Sequence, residues 1–191
     1  MDNLSPFTPN IQSCLDDLQV DHVRIEYSKI AISDLTNSSK VILSGRRKNS
    51  KEINSANSRI IRHCYENKKP LLGICYGAEI IALTLGGTIR RMPEHVQGQT
   101  SIMIGKKNPL TMERTSLSVY ESHAFCVARL PKEFITLASS DCCQHEMFSH
   151  ARNPIFGTQF HPEKSGIDGN IVIRSFVEIR QERFYLQEKK T

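Results

Sequence analysis

Pro70-Leu71-Leu72-Gly73-Ile74-Cys75-Tyr76-Gly77-Ala78-Glu79-Ile80-Ile81-Ala82-Leu83 reads as a buried strand that turns sharply into a helix. After Pro70 the run is apolar without alternation, the pattern of a strand covered on both faces. From Tyr76 the apolar spacing turns helical, and Gly86-Gly87 closes the helix. Cys75 stands at the junction, with Gly73 and Gly77 two positions to either side. A tight strand-to-helix turn strains the residue at its apex, and side chains on both flanks would clash there. Such a turn places Cys75 at the positive end of the helix, which favours thiolate, and aims the Tyr76 backbone N–H where an oxyanion would form. On its own, the same pentapeptide also suits a buried structural cysteine.

Strand-like and helix-like runs alternate outward from this turn. Helices are expected over residues 7–18, 54–67 and 76–85, and strands over 20–27, 40–44 and 70–74. The second half is richer in short strands, expected at 100–104, 116–120, 134–139, 146–150 and 155–160. A last amphipathic helix is expected over 170–186, with Ile173, Phe176, Val177 and Phe184 facing inward. This order predicts an α/β fold: a mostly parallel sheet with helices on both faces and a smaller antiparallel strand set in the second half. The 191 residues suit a single domain, and no repeat, linker or low-complexity tract divides them.

Composition narrows the functional classes. The chain is 39% hydrophobic, 24% charged and carries a net charge of +5 in short scattered clusters such as Arg46-Arg47-Lys48 and Arg90-Arg91. Aromatic residues do not interleave with these clusters and Trp is absent, so nucleic-acid binding is not expected. No apolar run reaches the length of a membrane span, and no basic start followed by an apolar stretch marks a signal peptide. A cytoplasmic protein with six reduced cysteines is the expectation. There is no phosphate-binding G-x-x-x-x-G-K loop and no dinucleotide fingerprint, so no cofactor is expected. No metal is expected at Cys142-Cys143-x-His145 either, because adjacent cysteines are poorly spaced for one tetrahedral zinc.

His161-Pro162-Glu163 gives the cysteine partners. Pro162 biases His161 toward extended backbone, where residues two apart project to the same side. Glu163 can then hold one ring nitrogen and leave the other for Cys75. The carboxylate also stabilises an imidazolium, which in turn stabilises a thiolate.

At these residues the chain resembles the class I glutamine amidotransferases. The matching motifs are Pro70 to Gly77 and Gly157-Thr158-Gln159-Phe160-His161-Pro162-Glu163, in the family's order. Ile42-Leu43-Ser44-Gly45 is similar to the strand leading to the family's oxyanion loop, and Asp2-Asn3 with Ser5-Pro6-Phe7-Thr8 to its N-terminal segment. The resemblance implies a flavodoxin-like or Rossmann-like sheet. It also implies a Cys75-His161-Glu163 triad that hydrolyses L-glutamine through a γ-glutamyl thioester. Tyr76, Gly45 and Arg46 would face the oxyanion, while Glu79, Ser122 and His123 would border the substrate. Most members have glutamine where this chain has Glu79; a γ-glutamyl hydrolase branch has Glu there, which makes a stand-alone hydrolase an alternative.

The resemblance further implies a separate, ATP-dependent synthase chain that accepts the ammonia. Residues 130–142 and 154–157, with Ser122-His123, most resemble the glutaminase subunit of GMP synthases. Asp2-Asn3, Phe7-Thr8 and residues 98–101 are also similar to the subunits of anthranilate and aminodeoxychorismate synthases, and Lys164-Ser165-Gly166 to that of imidazole glycerol phosphate synthase.

Two departures from the family stand out. Its oxyanion loop is rich in glycine and proline, whereas Arg46-Arg47-Lys48 follows Gly45 here. A positive φ at Arg46 would cost about 1–2 kcal/mol, and the basic side chains are expected to meet a partner subunit or an anion. The family also has an apolar strand directly before Asp-Asn, so a first β-strand is expected to be missing before Met1. These departures make a non-catalytic regulatory module a further alternative.

Overall fold

The computed structural model describes residues 1–180. Helices α1 (Thr8–Asp17), α2 (Ile32–Asn37), α3 (Lys51–Glu66), α4 (Tyr76–Thr84) and α5 (Gly166–Glu178) accompany seven strands. These are β1 (Val41–Leu43), β2 (Leu71–Ile74), β3 (Thr88–Ile104), β4 (Ser116–Arg129), β5 (Phe134–Ser139), β6 (Met147–His150) and β7 (Ile155–Thr158). They form one sheet in the order β1-β2-β7-β6-β5-β3-β4. β1, β2 and β7 run parallel, and β6, β5, β3 and β4 add antiparallel neighbours.

Alternation along β2 divides the core. Leu71 packs with Ile53, Ile60, Ile61 and Cys64 of α3 and Ile81 of α4, on one face. Leu72 and Ile74 pack with Ile11 and Leu15 of α1 and Val172, Ile173 and Phe176 of α5, on the other. Helices thus cover both faces of the parallel strands, as the pattern predicts.

Several elements differ from the sequence-based expectation. α3 starts at Lys51, where the Ser50 side chain accepts from the Ile53 N–H and caps the helix. α2 is an unpredicted single turn and a half. β3 and β4 are far longer than expected, because the two strands of one hairpin satisfy each other's backbone and need no alternating apolar face along their whole length. Residues 20–27 form no strand. Val20 N–H closes the end of α1 on Leu15 O, and further along, the segment pairs with Asp2, whose N–H donates to Ile25 O at 2.8 Å and whose carbonyl accepts from Tyr27 N at 2.9 Å. The other edge of this N-terminal segment reaches β1: the Met1 ammonium donates to Ile42 O at 2.7 Å, and Ser44 N donates to Met1 O. Beside Met1, a cavity of about 590 Å³ opens between residues 20–25 and 40–42. A single parallel bridge, Asp2 to Glu26, is too short to make this segment a strand. The predicted continuation of the last helix to 186, with Phe184, lies outside the described residues; within them, α5 ends at Glu178.

Candidate active site

The turn after β2 has the strain the glycine spacing implies. Cys75 adopts φ 51°, ψ −107°, left-handed backbone that L-residues rarely visit. Two close approaches hold it there. A Cβ on Gly73 would stand 2.4 Å from the Gly77 carbonyl, and one on Gly77 would stand 2.5 Å from Leu43 O. The Cys75 N–H donates to Thr158 O at 2.7 Å, tying the apex to the end of β7.

His161 follows shortly after β7 and is itself extended, at φ −101°, ψ 93°. Its Nδ1 lies 2.8 Å from Glu163 Oε1, and both side chains are buried. Its N–H donates to Tyr120 O, and its carbonyl accepts from Ser165 Oγ. The Phe7 ring packs edge-on against the imidazole, with centroids 4.8 Å apart. Gly45 closes the other side: a Cβ there would stand 3.2 Å from His161 Cε1. Gly169 lets α5 press on the same turn, since a Cβ on it would stand 1.9 Å from Pro162 O.

The electrostatics of Cys75 reverse one expectation. Burial pushes the thiol well above its usual range and the Glu79 charge adds to this, with smaller contributions from Glu163 and Glu121. The Tyr76 N–H, hydrogen-bonded toward the sulfur, opposes them without prevailing. Burial and the neighbouring carboxylates thus outweigh the helix end at this sulfur. Glu79 is itself raised by burial, partly offset by a hydrogen bond from Gln159 Nε2 at 3.3 Å.

Arg46 also departs from expectation. Its φ is not positive, so the loop carries no strain there. The guanidinium lies 3.8 Å from the Tyr76 ring centroid and donates to Asn54 Oδ1 at 2.9 Å, while Tyr76 Oη donates to the same oxygen at 2.8 Å. Arg46 thus folds back over the residue whose N–H faces the sulfur. Arg47 and Lys48 remain exposed. The Ser122 carbonyl lies 3.9 Å from Cys75 Sγ. His123 is buried with Glu121 and Glu146, two residues that no sequence motif singled out. His145 turns to Thr136 Oγ1 at 2.7 Å.

Comparison with known proteins assigns the family. The family model described as "Glutamine amidotransferase class-I" matches residues 1–179. The chain belongs to that family. It is 30% identical to a glutamine-hydrolyzing GMP synthase subunit of Thermoplasma acidophilum over 193 residues, 96% of each chain. A 36% match to the Methanocaldococcus jannaschii protein of the same name spans 59% of this chain and 61% of that one. The crystal structure of a GMP synthase subunit from Thermoplasma acidophilum superposes with a TM-score of 0.86 at 28% identity, covering 98% of this chain and 95% of that one. A Thermotoga maritima glutamine amidotransferase shares the fold at a TM-score of 0.71 and 17% identity, covering 91% of this chain and 86% of that one. No helix among the described residues is long and apolar enough to cross a membrane.

Proposed function

We propose that this chain hydrolyses L-glutamine to glutamate and ammonia and delivers the ammonia to a separate, ATP-dependent synthase chain of the GMP synthase type, in the cytoplasm. The observation that carries the chemistry is the strained Cys75 apex together with the buried His161–Glu163 hydrogen bond. The partner reading rests on the Thermoplasma subunit, similar along 96% of both chains.

In this mechanism Glu163 fixes the His161 tautomer, with Nδ1–H donated to the carboxylate, and leaves Nε2 to take the Cys75 proton. The sulfur attacks the side-chain amide carbon, and the carbonyl oxygen becomes an oxyanion facing the Tyr76 N–H and the backbone at Gly45 and Arg46. His161 then gives its proton to the amide nitrogen, the C–N bond breaks, and ammonia leaves a thioester on Cys75. Water, deprotonated by His161, attacks the thioester; glutamate departs, and the sulfur regains its proton. Glu79 accepts from donor groups of the substrate, and Ser122 and His123 border its amino-acid end.

The test is intact-mass labelling with an electrophilic glutamine analogue, with and without the synthase chain. One adduct, lost in Cys75→Ser, is expected. A folded protein that takes no adduct under either condition would remove the glutaminase reading. Turnover of γ-glutamyl substrates at full rate without a partner would instead favour the stand-alone hydrolase.

A further inference from the structure

Behind the strand that borders Cys75 lies a buried cluster in which two carboxylates, Glu121 and Glu146, have no part in the proposed glutaminase mechanism. Glu121 and His123 point to the same side of β4, two residues apart, and Glu146 enters from the residue before β6. Glu121 and Glu146 are fully buried and His123 is 4% exposed. One ligand-capable atom of each lies within 4.8 Å of the other two.

What distinguishes this cluster from an ordinary buried ion pair is which atoms are satisfied. His123 Nδ1 is taken by Phe125 O at 2.8 Å, which fixes the ring and directs Nε2 inward. Ser140 Oγ donates to Glu146 Oε1 at 2.6 Å, which fixes that carboxylate and directs Oε2 inward. The inward atoms, His123 Nε2, Glu146 Oε2 and both oxygens of Glu121, make no hydrogen bond. Glu121 Oε2 stands 3.0 Å from His123 Nε2, close enough for ion pairing but off the line a hydrogen bond requires. Buried polar atoms left unmatched are costly, and here four of them converge.

We propose that Glu121, His123 and Glu146 form a site for one small divalent transition cation, with zinc the representative ion. Imidazole and carboxylate donors suit such ions. The outer contacts, Phe125 O on the imidazole and Ser140 on the carboxylate, are those that orient metal ligands from behind. A bound ion ties the middle of β4 to the start of β6. Ser122, whose carbonyl approaches the Cys75 sulfur, lies between two of the ligands, so the ion stiffens the strand that borders the proposed substrate pocket.

The experiment is equilibrium dialysis of the reduced, full-length protein against Zn²⁺ buffered by a weak chelator, with metal content read by mass spectrometry. Co²⁺ substitution followed by absorbance is the companion. One equivalent of metal is expected, with the Co²⁺ ligand-field spectrum of nitrogen and oxygen donors. Glu121→Gln and Glu146→Gln should each weaken binding by at least ~100-fold, and Ser140→Ala by ~10-fold. Three results would overturn the proposal. They are substoichiometric metal in the wild type, full retention in a folded Glu121→Gln/Glu146→Gln double variant, and a thiolate-to-cobalt charge-transfer band, which would place the ion on the cysteines. The cobalt spectrum decides even if the carboxamide variants fail to fold, and no arm depends on glutamine turnover.

Discussion

His161 with Glu163, and His123 with Glu121, are each a histidine and a glutamate two residues apart, and all four side chains are buried. The separations are nearly equal, 2.8 and 3.0 Å, yet only the first pair is an aligned hydrogen bond. The difference comes from the other ring nitrogen. In His161, Nδ1 takes the carboxylate and Nε2 has no protein partner among the described contacts, which suits proton transfer. In His123, Nδ1 is spent on Phe125 O, so Nε2 must face the carboxylates. One spacing thus yields an oriented imidazole in one place and an unmatched cluster in another. The backbone contacts around each ring decide which.

The largest expected effect tests the catalytic half of that contrast. His161→Asn should lower glutamine hydrolysis by on the order of 10⁴, the upper range for a general acid–base residue. Glu163→Gln should cost about 10²–10⁴, because an amide favours the wrong tautomer. Steady-state kinetics with saturating synthase would measure both. If His123→Asn lost as much as His161→Asn, the two pairs would not differ in role and the contrast would be broken.

Gly169→Ala comes next and tests what holds the proposed catalytic pair in place. The new methyl group would sit 1.9 Å from Pro162 O, so the turn carrying His161 and Glu163 must move. A displacement near 1 Å at a catalytic group costs ~10²-fold in kcat, and overpacking lowers stability by about 1–3 kcal/mol. A variant with native kcat and a lowered melting temperature would show that the turn does not depend on α5.

Glu79→Gln sharpens the electrostatic side. The Glu79 charge raises the Cys75 thiol, so its removal should shift Cys75 alkylation by iodoacetamide to lower pH. Stability should change as well. Burial raises the folded-state pKa of Glu79, so the wild type is penalised as pH rises from the unfolded carboxylate range through the folded value. The Gln variant should therefore be more stable in neutral buffer, and the gain should vanish in acid. Urea melts across that range measure this; an unchanged alkylation profile would mean burial alone sets the thiol.

These residues were unequally legible. Gly73, Cys75 and Gly77 could be read directly, since a tight elbow excludes side chains at fixed spacing and the exclusion is local. His161-Pro162-Glu163 was equally local. The Glu121–His123–Glu146 cluster was not, because Glu146 joins it only through the long antiparallel half of the sheet, and β3 and β4 lack the alternation that would have revealed their length. Residues 20–27 have strand-like composition, but a strand also needs a continuous partner, and these residues make one isolated bridge, Asp2 to Glu26. The intramolecular seat of Arg46 was hidden for a related reason: the aromatic face that receives it, Tyr76, is far away in sequence.

Arg46→Ala should have the smallest effect, and it separates orientation from charge. The substitution removes a guanidinium stacked on Tyr76 and its hydrogen bond to Asn54. A partly exposed cation–π contact is worth about 0.5–1 kcal/mol, and a comparable loss in the barrier is roughly a two- to fivefold fall in kcat. If Arg46 acts by holding Tyr76, Arg46→Lys should rescue little, because a flexible ammonium cannot stack or present a planar fork. If it acts only as a positive charge near Glu79, which that charge helps keep ionised, lysine should restore the rate. Equal rates for Ala and Lys, both below wild type, would assign the loop its role: to position the Tyr76 N–H against the sulfur, a task the Phe7, Gly45 and Gly169 contacts perform for His161.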